Sequence, residues 1–154
     1  MLIDVSYFTT GIRHIENASV AEMPSQNSLA VNGLIEGYIN QYQEEFIQEA
    51  CGNKASLVMD SLNNDENTSL LPLINKLKEP FADYVYFHIL RDANAQTTIT
   101  GLVELKSANK YISPIRRQVT IWNEMVKKMR LLASEFVELN ISYNLLTPIN
   151  TFNL

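Results

Sequence analysis

Between residues 34 and 50 the apolar side chains Leu34, Ile35, Tyr38, Ile39, Tyr42, Phe46, Ile47 and Ala50 recur at three- and four-residue steps. That is the spacing of one helical face, and it predicts an amphipathic helix from Leu29 to Cys51. Ser28 stands before it as a residue whose hydroxyl can accept from the free amides of a first turn. Gly33 and Gly37 each weaken such a helix by about 1 kcal/mol relative to alanine. Gly52 follows where a C-terminal cap belongs. A second, shorter helix is expected from Asn53 through Leu57, Val58 and Leu62.

A longer stripe begins at Leu70 and runs through Ile74, Leu77, Phe81, Tyr84 and His88, again alternating steps of four and three. Pro80 lies inside it and is expected to kink or restart the helix, since proline lacks the amide that the ladder needs. Asp92, Ala93 and Asn94 end the stripe. The period then changes. Thr97 to Leu105 is β-prone, and Ser107 to Lys110 can turn the chain into Tyr111 and Ile112, which predicts a short β-hairpin or extended finger over residues 96–112. A two-stranded unit between helices is marginal unless it packs on its own domain or joins another chain.

Ser113 and Pro114 are suited to opening a last long helix. Val119, Trp122, Val126, Met129, Ala133 and Phe136 mark one face of it, widened by Ile121, Met125, Leu132 and Leu139. The expected fold is therefore mainly α: a small bundle of about four helices with an inserted hairpin or finger. Residues 1–28, with scattered apolar positions and a polar end, read as an N-terminal arm. Residues 29–142 form the helical domain, and residues 143–154 an apolar, unpatterned tail.

Composition narrows the function classes. The 154 residues are 46% hydrophobic and 19% charged, which is ordinary for one globular domain. No apolar run approaches the roughly 20 residues of a membrane span. The single cysteine, Cys51, and an N-terminus without a basic flank and long apolar run lead us to expect synthesis in a reducing cytoplasm. The net charge of −5 argues against general nucleic-acid binding, but it is unevenly spread. Residues 1–66 hold ten acids and two bases, a net of −8, whereas residues 106–130 hold seven bases and one acid, a net of +6. Either the two partly neutralise each other within one fold, or oppositely charged sides of identical subunits meet head-to-tail.

Candidate chemistry is sparse. His88 lies on the apolar stripe, with Tyr84 one turn before it and Arg91 and Asp92 just after. The expectation is a neutral buried imidazole bonded to a carbonyl or a tyrosine, because a general base wants a nucleophile or an orienting acid beside it. His14 sits in the arm, and no metal-ligand spacing joins the histidines and the cysteine. Residues 60–71 fail as a calcium loop, with Leu62, Asp65 and Leu71 where an oxygen ligand, a glycine and a glutamate are needed. Glu44, Glu45 and Glu49 read as a solvated face. Arg116, Arg117, Lys127, Lys128 and Arg130 form a basic cluster without the interleaved aromatics of a single-strand binder. We therefore expect no catalytic residues, metal or cofactor.

The stretches YQEEF (42–46), YVYF followed by Arg91 (84–91), AQTTITG (95–101) and SP followed by WNEM (113–125) together resemble a virion-protein family encoded by phages and prophages of Bacteroides-type bacteria. The layout over roughly residues 30–130 is similar to the small helical head-to-tail connector proteins of tailed phages. That resemblance implies a subunit of a ring beneath the portal, located in the virion, with portal and tail components as partners. It implies core helices around Tyr42, Tyr84 and Trp122. It places Thr97, Thr98, Ile99, Leu102 and Val103 at a subunit contact, which the charge pattern extends to Arg116, Arg117, Lys127 and Lys128. The long arm and apolar tail depart from the better-known connectors, which leaves ring size and position in the virion open. A cytoplasmic helical protein-binding module is the alternative.

Overall fold

The computed structural model describes residues 1–64, 68–93, 95–98, 101–104, 115–142 and 147–149. The architecture is mainly helical. Among the described residues there are five α-helical segments: α1 (Gln26–Cys51), α2 (Ala55–Asn63), α3 (Leu71–Ala93), α4 (Ile115–Leu131) and α5 (Ala133–Glu138). Between α3 and α4 the backbone of β1 (Ala95–Thr98) pairs antiparallel with β2 (Gly101–Glu104), with Thr97 opposite Leu102 and Thr98 opposite Gly101. The remainder of the expected finger, including Ile99 and residues 105–112, and the Ser113–Pro114 start signal lie outside the described residues.

The first helix begins earlier than its apolar pattern suggests. Ser25, not Ser28, caps it, its Oγ accepting from the Ser28 amide at 3.1 Å. The Ser28 side chain turns inward and meets the Ser25 hydroxyl at 3.0 Å. At the other end Gly52 takes a φ of +45°, which glycine adopts without a Cβ clash, and the chain tightens into a single turn at Gly52–Lys54 before α2.

Pro80 does not break α3. The helix runs through it because the turns on both sides are anchored: Leu73, Ile74 and Leu77 before it, and every residue from Phe81 to Tyr86 after it, are buried. α3 packs against both α1 and α4 and forms the middle of the molecule. The last helix, expected to be continuous, is interrupted at Leu132, whose amide bonds to the Met129 carbonyl in a tightened turn. α5 then stops at Asn140, which has a φ of +53°. The Asn140 amide bonds to Val137 and the Ile141 amide to Phe136, with Ile141 and Phe136 both buried, the paired bonds and apolar contact of a Schellman end.

The segment read as an arm is part of the core. Leu2, Ile3, Val5 and Phe8 are buried with α1, α3 and α4 in one continuous cluster. Their spacing follows no single helical or strand period because they sit on an extended lead and a short turn at Val5–Phe8. That is why the pattern hid them.

Candidate functional site

Three features bear on function: the brace at the end of α3, the basic residues of α4, and the groove beside His88. The brace ties the last turn of α3 to α1. Arg91 donates to Asp92 through Nε at 2.8 Å and through Nη2 at 3.2 Å, and its Nη2 also donates to the Tyr42 hydroxyl at 2.9 Å. Tyr38 donates its hydroxyl to Asp92 at 3.1 Å. Bonding to Arg91 holds the Asp92 carboxyl below the usual range, while burial and then Asp92 push Tyr38 up to about 12. β1 starts two residues after this turn. The turn that precedes β1 is therefore braced against α1.

His88 is 6% exposed and stacks on Tyr42, with ring centroids 3.9 Å apart and planes 7° from parallel. Tyr84 and Phe87 meet it edge-on at 4.6 and 5.3 Å. Among the described residues neither imidazole nitrogen has a hydrogen-bond partner, contrary to the expected bond to a carbonyl or a tyrosine. The Tyr84 hydroxyl donates to Glu45 at 2.5 Å, and Asp92 is held by Arg91 and Tyr38, so both expected neighbours of the imidazole are engaged elsewhere. Burial, then the Arg91 charge, lower the His88 pKa to about 4. The ring is neutral near pH 7. No His–Asp pair forms here.

Beside this aromatic stack an open groove of about 390 Å³ runs between α3 and α4, walled on one side by Thr147, Pro148 and Ile149. These tail residues are held mainly through backbone atoms. Trp122 Nε1 donates to the Thr147 carbonyl at 2.8 Å, and Asn123 both donates to the Ile149 carbonyl at 3.1 Å and accepts from its amide at 2.8 Å. Of the three core markers named by the resemblance, Tyr42 and Tyr84 are buried and Trp122 is half-buried.

The basic residues of α4 divide into two sets. Lys128 Nζ lies 2.5 Å from Asp83, which is fully buried and also takes Arg13 at 2.6 Å; Arg13 in turn binds Glu79 at 2.8 Å. Arg117 donates to the Ile12 carbonyl at 2.5 Å and lies over the Tyr86 ring. Arg117 thus holds the N-terminal segment onto α4, and Lys128 shares with Arg13 a carboxylate of α3. Arg116 and Lys127 are exposed, and Lys127 only approaches Glu124 at 3.9 Å. Thr97, Thr98, Leu102 and Val103 fall on the paired strands, away from this helix in sequence, and Ile99 is outside the described residues. The cluster of Arg13, Glu79, Asp83 and Lys128 was not foreseen: Asp83 sits between two apolar residues of α3, and nothing local marks its partners 70 and 45 residues away.

No described helix is long and apolar enough to cross a membrane. The chain matches no known protein family, no curated protein and no solved structure.

Proposed function

We propose that the protein is a structural subunit of a tailed-phage or prophage virion, a head-to-tail connector or head-completion protein that assembles into a ring below the portal. The observation that carries this reading is the antiparallel pair β1–β2 leaving a braced helix end. Among the described residues its main contact outside itself is with α3. A two-stranded ribbon offers backbone edges, and such edges gain most by adding to another chain. The helical bundle would supply the rigid wall of the ring and the hairpin the inserted finger. The resemblance of the stretches 42–46, 84–91, 95–101 and 113–125 to the phage virion-protein family points the same way.

The test substitutes Ile99, Leu102 and Val103 by serine. We expect a monomer with unchanged far-ultraviolet circular dichroism that no longer assembles at concentrations where the wild type does. Assembly at the wild-type concentration would refute the finger.

One observation favours a second reading, a helical protein-binding module. Trp122 and Asn123 hold residues 147–149 largely through backbone atoms, a form of recognition that another peptide could satisfy. This reading predicts a non-virion partner that binds saturably and is lost in Asn123→Ala.

A further inference from the structure

Because α3 packs against both α1 and α4, the outer sides of α1 and α4 are two different faces of the molecule. Those two sides carry opposite charge. On α1 the exposed stripe is Leu29, Gly33, Glu36, Gly37, Asn40 and Glu44, spaced as neighbours on one helical face. On α4 it is Arg116, Thr120, Lys127 and Arg130, joined by Leu131, which is 74% exposed. Among the described residues Arg116 and Arg130 enter no ion pair, and Glu36 and Glu44 meet no base. The charges that the fold does use, Arg117 and Lys128, lie off this stripe.

We propose that copies of this chain associate head-to-tail, with the acidic outer face of α1 on one copy seated against the basic outer face of α4 on the next. The inference rests on the ring reading above and names its interface. Two different faces of opposite sign make the contact heterologous, so each copy leaves one face of each sign open for a further copy, and the assembly closes only as a ring. Charges along the two stripes are spaced comparably: at 1.5 Å per residue, Glu36 and Glu44 lie about 12 Å apart and Arg116 and Lys127 about 16 Å. Leu29 and Leu131, 57% and 74% exposed, would lose water at the contact.

The glycines fit the same arrangement. A Cβ at Gly33 or Gly37 would meet nothing within 4 Å, and neither has a positive φ, so the chain's own fold does not require glycine there. Each costs the isolated helix about 1 kcal/mol relative to alanine. The exposed backbone at Gly33 and Gly37, on either side of Glu36, lets a second helix approach closely.

The experiment measures the mass of the full chain by light scattering on size exclusion, over a concentration series at low and high salt. Two double variants are compared, Glu36→Lys with Glu44→Lys, and Arg116→Glu with Lys127→Glu. All four positions are exposed, so circular dichroism should match the wild type. Each variant alone should need at least tenfold higher concentration to associate, and a one-to-one mixture should regain assembly, since each then offers the face that the other lacks. Gly33→Ala with Gly37→Ala should raise thermal stability while weakening association. If the wild type forms rings that neither charge variant disturbs, the interface is wrong and the ring reading survives. If the wild type stays monomeric at every concentration and salt, both fall.

Discussion

His88 illustrates how a residue that looks catalytic serves packing. Its ring continues the stack of Tyr42 and closes the aromatic cluster of Tyr84, Phe87 and Trp122. Two buried ring nitrogens without partners each cost on the order of 1–3 kcal/mol. The charges around it are Glu45 on α1 and Arg91 and Asp92 on α3, with the neutral Tyr42 ring stacked on its face. With the folded pKa at about 4 and the unfolded value near 6.5, the unfolded chain binds the extra proton first as pH falls. Stability should therefore drop between about pH 6.5 and pH 4, by about 3 kcal/mol over the whole window. The Asp92 contribution has the same sign but is lost at lower pH, below the ordinary carboxylate range. His88→Phe keeps the stack and removes both nitrogens. We expect it to be at least as stable as the wild type at pH 7 and to lose less stability between pH 7 and pH 5 in urea titrations; an unchanged pH dependence would show that other groups set it.

At the scale of elements, the test of a helix boundary is its cap. Ser25→Ala should cost about 1 kcal/mol, because it removes the acceptor of the Ser28 amide in a first turn with no other side-chain cap shown. Ser28→Ala removes only a hydroxyl contact and should cost less; equal losses by thermal melting would place the boundary where the apolar pattern alone suggests. The course of α3 was legible, since the stripe from Ile74 to His88 keeps its period across Pro80, and burial on both sides offsets one missing hydrogen bond. The cap was not, because Gln26 and Asn27 are polar residues on the solvent side of the helix and add nothing to the apolar period. The break at Leu132 was hidden for the opposite reason. Met129, Leu132 and Phe136 keep three- and four-residue steps straight through the tightened turn, so the pattern continues where the hydrogen bonds do not. For the candidate site, the basic cluster was legible but its division was not: Arg117 and Lys128 find partners 105 and 45 residues away, and pairing at that range leaves no mark in local spacing.

The whole molecule depends on its first thirteen residues. Phe8 is fully buried, the Leu2 amide donates to Gln43 Oε1 on α1 at 2.6 Å, and Arg13 reaches Asp83 on α3. Lys128 of α4 meets the same carboxylate, so one buried acid joins the N-terminal segment to α3 and α4. A segment that merely lay against a finished bundle could be loosened without disturbing the helices. One that shares their core could not. Phe8→Ala should accordingly cost about 3–5 kcal/mol, the range for emptying a buried phenyl site. The loss should appear alike in Trp122 fluorescence, which reports the α3–α4 contact, and in far-ultraviolet circular dichroism, which reports all helices together. Coincident transitions shifted to lower urea would establish a single cooperative unit that includes the N-terminus. If instead the Trp122 transition kept its wild-type midpoint, the N-terminal segment would fold separately, and the contacts through Asp83 would contribute little to the bundle.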